Sequence, residues 1–120
     1  MRLIGLVLAL SLTLAPLAAE AQPAGKVYRI GFLGGASASA HGYRVEALRA
    51  GLRDLGYLEG KSIVIEYRGA EGKYDRLLDL AAELVRLMVD VIVTGGTPAT
   101  QAAMKATTTI PIVTIDALPF

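Results

Sequence analysis

Short apolar runs alternate with longer amphipathic stretches along residues 27–116. The apolar runs at 27–33, 62–67, 91–94 and 110–116 contain many β-branched residues, which is typical of β-strands. Pro111 is compatible with the last run, because a proline is tolerated at the start of a strand. The pattern therefore predicts four strands.

Between these runs, apolar residues repeat at steps of three and four, as they do on one face of an α-helix. The first predicted helix covers about 41–55, and its apolar face consists of Val45, Leu48, Leu52 and Leu55. The second covers about 74–88, and its apolar face consists of Leu77, Leu78, Ala81, Leu84, Val85 and Met88. The third is short and ends near Thr107.

The resulting β-α-β-α-β-α-β order predicts an α/β fold, a doubly wound parallel sheet with helices on both faces. If the first strand is central, the strand order is 2-1-3-4 and the switch point lies between the first and third strands. Such sheets bind ligands beyond the carboxyl ends of the strands beside the switch point. The loops at 34–40 and 94–98 are therefore predicted to form a ligand crevice.

The second of these loops has the chemistry of a helix start. Gly95 and Gly96 interrupt the strand, Thr97 is predicted as the N-cap, and Pro98 takes the first helical position, where its missing N–H costs nothing. Unpaired amides and the positive end of the helix dipole favour an anion such as a carboxylate or phosphate. An ordinary βα connection uses the same glycine and cap chemistry. The place beside the switch point favours the anion-binding interpretation.

Further candidate ligand-binding residues lie on the same predicted edge of the sheet. Ser37 either hydrogen-bonds a ligand or caps the first helix. His41 is more simply a surface or capping residue than a ligand contact. Asp116 either meets a ligand amine or serves an ordinary turn. The predicted ligand-binding residues are Gly34, Gly35, Ser37, Thr94, Gly95, Gly96, Thr97, Pro98 and Asp116.

The composition of the chain argues against several classes of function and of binding site. The 120 residues suffice for one small domain, and 12 basic against 11 acidic residues without a basic run argue against nucleic acid as a partner. The absence of cysteine excludes disulfides, thiolate chemistry and cysteine zinc sites, and a lone histidine makes a metal site unexpected. The run Gly-Phe-Leu-Gly-Gly at 31–35 is not GxGxxG, and no Ser-His-Asp, GxSxG or P-loop pattern occurs. We therefore expect neither an enzyme nor a cofactor.

The N-terminus has the organisation of a signal peptide at residues 1–21. Arg2 precedes an apolar stretch at 3–14, Pro16 breaks it, and Ala19-Glu20-Ala21 fits the small-x-small cleavage pattern. A membrane anchor is the alternative, but the apolar stretch is short for one. Cleavage before Gln22 would leave a flexible leader at 22–26 and a chain exported to the periplasm by the general secretory route.

Several motifs in a fixed order carry a resemblance to one family. They are YRIGFLG at 28–34, GLRDLGYLEGK at 51–61, IEYR at 65–68, YDRL at 74–77, TGGTPA at 94–99 and IPIV at 110–113. With them, the chain resembles the substrate-binding proteins of ABC transporters, of the tryptophan/tyrosine transport type. The resemblance covers the signal peptide and the whole mature chain.

The resemblance implies a periplasmic-binding-protein-like architecture, in which two α/β lobes close on a small amino-acid-like solute and deliver it to a membrane permease. Residues 27–120 would form an incomplete first lobe, so the chain is expected to be the N-terminal part of a longer protein. By the same resemblance, the loop after the first strand and the helix start at Thr97 would face the solute, and Asp116 would lie at the cleft mouth. The alternative is an exported sensory ligand-binding domain or α/β enzyme whose functional residues lie beyond Phe120.

Overall fold

Four parallel strands form the centre of the computed structural model, which describes residues 25–115. They are β1 (Tyr28–Gly34), β2 (Ile63–Gly69), β3 (Val91–Gly95) and β4 (Ile112–Thr114). Their order in the sheet is β2-β1-β3-β4, and each neighbouring pair is parallel. The predicted order 2-1-3-4 is therefore confirmed. The predicted signal peptide, most of the leader and Asp116 lie outside the described residues.

Helices cover both faces of the sheet. Helix α1 (Ala38–Asp54) lies on one face, where Val45, Leu48 and Leu52 pack on the strands. Helices α2 (Leu77–Arg86) and α3 (Thr97–Ala106) lie on the other face, in contact with each other, and a short 3₁₀ turn (Tyr74–Arg76) precedes α2. This is the doubly wound arrangement that the alternating pattern predicted.

Strand β1 pairs with β2 on one side and with β3 on the other, and both of its faces are buried. Ile30 and Phe32 point toward α1, and Leu33 belongs to the cluster beneath α2 and α3. Gly31 lies directly beneath α2: a Cβ at this position would be 3.0 Å from both δ carbons of Leu84. The glycine thus lets the helix approach the strand closely, as expected of a glycine inside a buried strand.

The first helix starts three residues earlier than predicted, at Ala38, because Ser37 is its N-cap. The Ser37 hydroxyl oxygen accepts the Ala40 amide at 3.3 Å, which supports the capping alternative for this residue. At the other end, Leu55 is 71% exposed, so its predicted place in the core is wrong. It lies at the C-cap, one position beyond the last helical residue, and no longer follows the apolar stripe.

The apolar stripe of α2 is also shifted from the predicted one. Its buried residues are Leu77, Leu80, Ala81 and Leu84. Leu78 and Met88 are exposed instead, since Leu78 lies outside the stripe at steps 0, 3, 4 and 7 from Leu77, and Met88 lies beyond Arg86, the last helical residue. The sequence pattern found the helix but misassigned part of its face.

Met88 lies two residues beyond the end of α2 in a left-handed conformation, with φ of 58°. This conformation strains any residue that has a Cβ, and the Met88 side chain is exposed and contributes little packing. We expect Met88→Gly to raise the free energy of unfolding by about 0.5–1 kcal/mol, measured by urea denaturation. Met104→Gly is the matched control, because Met104 is an exposed methionine inside α3. The Met104→Gly variant should instead lose about 1 kcal/mol of unfolding free energy. An equal loss in both variants would contradict the assignment of strain to Met88.

Candidate functional site

Three neighbouring strands end on glycine at the same level of the sheet. Gly34 of β1 is the register partner of both Gly69 of β2 and Gly95 of β3. All three lie on the face that α1 covers, since they continue the alternation of Phe32 and its neighbours. The missing side chains leave a trough at the carboxyl ends of these strands, at the switch point of the sheet.

The His41 side chain, from the first turn of α1, fills the part of this trough over Gly34 and Gly95, and the Ala36 carbonyl and the Tyr67 ring fill the part over Gly69. A Cβ on Gly34 would lie 2.8 Å from the His41 ring, and one on Gly95 would lie 3.2 Å from it. The Phe32 and Tyr67 rings stack at 5.5 Å between centroids, and the His41 ring lies 5.8 Å from that of Phe32. His41 is only 8% exposed, so its prediction as a surface residue is wrong.

The loop after β1 is held by a series of hydrogen bonds from the β2 side. The Gly34 carbonyl accepts the Ala70 amide at 2.9 Å, and the Gly35 carbonyl accepts the Gly72 amide at 2.8 Å. The Ala36 carbonyl accepts the Tyr67 hydroxyl at 3.1 Å. Three successive carbonyls are therefore bonded within the protein. The loop is a fixed wall with a defined surface.

The turn between β3 and α3 differs from the prediction by one residue. Gly96, with φ of 99°, is the N-cap of α3, and Thr97 is the first helical residue with an exposed side chain. Thr97 as N-cap is therefore wrong, and Pro98 takes the second helical position. The sharp exit from the sheet needs a positive φ, which glycine adopts without strain and threonine does not.

Two other threonines hold this turn. The Thr100 hydroxyl donates to the Gly96 carbonyl at 3.0 Å. Since that uses its single proton, the 2.7 Å contact between Thr94 and Thr100 has the Thr94 hydroxyl as donor. Thr94 is fully buried. Its hydroxyl thus connects the end of β3 to the first turn of α3.

A cavity of about 230 Å³ opens where these parts meet, beyond the carboxyl ends of β1 and β3. Its walls come from the β1 loop, the start of α1, the 3₁₀ turn and the start of α3. The lining residues are Gly35, Ala36, His41, Arg44, Tyr74, Gly95, Gly96, Pro98 and Ala99. Arg44 brings a cation, and its Nε donates to the Tyr43 hydroxyl at 2.8 Å. Tyr74 brings a ring that is largely exposed.

The structure brings four of the predicted ligand-binding residues to this cavity, namely Gly35, Gly95, Gly96 and Pro98. Gly34 and Thr94 are buried beneath it, and Ser37 and Thr97 are not among its lining residues. Asp116 lies outside the described residues. A ligand contact by any of these residues stays a prediction.

Arg44 and Tyr74 were missed as site residues by the sequence reasoning. Arg44 falls inside the first predicted helix, outside its apolar face, and Tyr74 falls at the start of the second. The available signal was their position in the sequence, since each lies within two helical turns of a loop at the carboxyl edge of the sheet. Only the tertiary structure brings both to the cavity that Gly35 lines, where a Cβ on Gly35 would lie 2.5 Å from the Tyr74 ring.

The family of this chain follows from its sequence match. A family model described as ABC transporter substrate binding protein matches residues 35–118. The chain belongs to this family. The match includes both loops of the cavity, and the resemblance found in the sequence motifs is confirmed.

Solved structures similar to this substrate-binding family member share its fold. A conserved domain protein from Vibrio cholerae O1 biovar El Tor is 32% identical, with a TM-score of 0.69 over 74% of this chain. A substrate-binding protein with adhesive properties from Clostridium difficile, in a ligand-free, open structure, is 26% identical with a TM-score of 0.68 over 73%. An ABC domain from Streptococcus pneumonia, in complex with L-Trp, is 25% identical with a TM-score of 0.66 over 74%.

The chain spans 30% of the length of each of these three structures. Among curated proteins, no sequence matches it. Within residues 25–115, no helix has both the length and the apolar character needed to cross a membrane. In the same range, no three histidine, cysteine, aspartate or glutamate side chains are grouped so that they could hold a metal ion.

Proposed function

We propose that this chain forms one wall of a cleft that binds a small amino-acid-like solute, in an exported binding protein that serves an ABC importer. The observation that carries the proposal is the cavity at the switch point of the sheet in a member of a substrate-binding family. In open α/β sheets this edge is the usual place for a ligand. The solute would be bound and released unchanged.

The chemistry of the wall fits a solute with a carboxylate and a ring. The Arg44 guanidinium and the N-terminal end of α3 both contribute positive potential at the cavity. The exposed Tyr74 ring offers an aromatic surface at the same cavity. The L-Trp complex of the Streptococcus pneumonia relative supports an aromatic amino acid as the first solute to test.

Binding is proposed to close two lobes around the solute, with this chain in the first lobe and the predicted hinge and second lobe elsewhere in the protein. A solute that contacts both lobes binds the closed state more tightly and so shifts the population toward it. The ligand-free, open structure of the Clostridium difficile relative supports such an open state for a substrate-binding protein. The proposed partner of the closed form is a membrane permease, reached after export by the predicted signal peptide.

The test of the proposed function is a calorimetric titration of the purified protein with L-tryptophan. Arg44→Gln removes the cation at the cavity, and we expect it to weaken binding by about 10-fold or more, because a charged hydrogen bond is lost. Tryptamine, which lacks the carboxylate, should bind the native protein as weakly as L-tryptophan binds the variant. Arg53→Gln is the matched control, because Arg53 is an exposed arginine of the same helix that does not line the cavity.

We expect the Arg53→Gln variant to bind L-tryptophan as the native protein does. Equal affinity of the native protein for tryptophan and tryptamine would contradict a carboxylate contact by Arg44. No measurable binding of any amino acid would contradict the proposed solute class. Chemical conversion of the solute during the titration, seen by mass spectrometry, would contradict a binding role without catalysis.

A further inference from the structure

We propose that His41 is a positioning residue of this wall: together with Tyr67, its side chain fixes the Ala36 peptide that lines the cavity. The inference rests on the proposed function, since the wall is positioned for a solute that binds against it. It goes further by naming which side chains keep the wall in place. Neither residue was predicted to have such a role.

Both polar groups of the Ala36 backbone are hydrogen-bonded to side chains. The Ala36 amide donates to Nε2 of His41 at 3.4 Å, so this nitrogen is unprotonated and a neutral imidazole has its proton on Nδ1. The Ala36 carbonyl accepts the Tyr67 hydroxyl at 3.1 Å. Burial raises the pKa of the Tyr67 phenol, with a smaller contribution from Glu71, and the protonated hydroxyl is the donor in this bond. Side chains from α1 and β2 thus bind the Ala36 N–H and C=O.

Ring packing holds the His41 and Tyr67 side chains in place. Tyr67 and Phe32 are register partners on β2 and β1, and their rings stack. The His41 ring lies 6.5 Å from that of Tyr67 and rests over Gly34 and Gly95. The trough therefore determines where the ring lies, and the ring determines where the Ala36 amide points. An apolar residue of similar volume would fill the trough without accepting the hydrogen bond.

The consequence for binding is preorganisation. Gly35 and Ala36 lie between His41 on one side and Tyr74 on the other, and all four line the cavity. A wall that is already ordered before the solute arrives removes part of the entropic cost of binding. Releasing the Ala36 amide should therefore weaken binding more than it destabilises the fold.

The experiment compares His41→Leu with His41→Gln, whose side-chain oxygen reaches about as far as Nε2. In the protein without solute, the exchange rate of the Ala36 amide with deuterium is followed by NMR. We expect exchange about 10-fold faster in His41→Leu, and within about threefold of the native rate in His41→Gln. The affinity for L-tryptophan should follow the same order, with a loss of about 10-fold in His41→Leu only. Tyr67→Phe keeps the ring, removes the second bond to Ala36, and should also speed the exchange.

Two results would overturn the inference. One is equal acceleration in His41→Leu and His41→Gln, which would mean that the ring only fills space. The other is unchanged Ala36 exchange in both His41→Leu and Tyr67→Phe. If the native protein does not bind L-tryptophan, the proposed solute is wrong. The amide exchange rates, which are measured without solute, still decide whether His41 positions Ala36.

Discussion

Replacing Gly69 by alanine is expected to lower the free energy of unfolding by about 2–3 kcal/mol. The added Cβ would lie 2.6 Å from the Ala36 carbonyl oxygen and 2.8 Å from the Tyr67 hydroxyl. The carbonyl is backbone in a loop that hydrogen bonds hold on the β2 side, so it cannot move away as a flexible side chain would. Urea denaturation followed by circular dichroism measures the loss.

Gly51→Ala is the matched control for Gly69→Ala, because it adds the same methyl group. Gly51 lies in α1, exposed, and a Cβ there would meet no atom within 4 Å. We expect Gly51→Ala to raise the free energy of unfolding by about 0.5–1 kcal/mol, since alanine favours the helix more than glycine does. A Gly69→Ala variant within about 0.5 kcal/mol of the native protein would show that the loop after β1 yields easily, against the description of a fixed wall.

Leu84→Ala is expected to cost about 3–4 kcal/mol of unfolding free energy. Leu84 is fully buried between α2 and β1, and both of its δ carbons rest on Gly31. Removing them leaves a cavity that the close contact of helix and strand cannot fill. Leu78→Ala is the control on the same helix, and it should cost less than about 1 kcal/mol because Leu78 is half exposed.

The contact between Leu84 and Gly31 can be tested by combining the two substitutions. Gly31→Ala alone should destabilise by about 1–2 kcal/mol, because its methyl collides with the leucine. In the Leu84→Ala background the same methyl enters the vacated space. The double variant should therefore lose about 1 kcal/mol less unfolding free energy than the two single losses added together. Strict additivity would contradict direct packing of this pair.

Much of the fold could be predicted because it depends on local patterns. Runs such as 91–94 have the composition of buried strands, and the leucine repeats have the period of helices. Parallel pairing then followed from connection rules, and the order 2-1-3-4 followed once β1 was taken as central. Leu55 and Met88 were assigned wrongly because helix ends depend on capping, and a periodic pattern does not say where a helix stops.

The sequence predicted the position of the candidate site in the fold better than the roles of the individual residues in it. Gly35, Gly95, Gly96 and Pro98 were expected at the switch point and line the cavity. The role of Thr97 was misplaced by one residue because the choice between Gly96 and Thr97 as N-cap depends on the angle at which the chain leaves the sheet. That angle is set by the packing of α3 on β3, which no short segment specifies.

The sequence by itself determined that the chain has an α/β fold with a parallel sheet, since both follow from composition and period along the chain. The order 2-1-3-4 and the switch-point crevice followed only on the premise that β1 is central, and the tertiary structure confirms that premise. Only the tertiary structure decided that Gly34, Gly69 and Gly95 form one trough, and that His41 fills it over Gly34 and Gly95. These glycines lie 26 to 61 positions apart in the chain, so their common level depends on strand register. Register is set by how both faces of the sheet pack against helices, a property of the whole assembly.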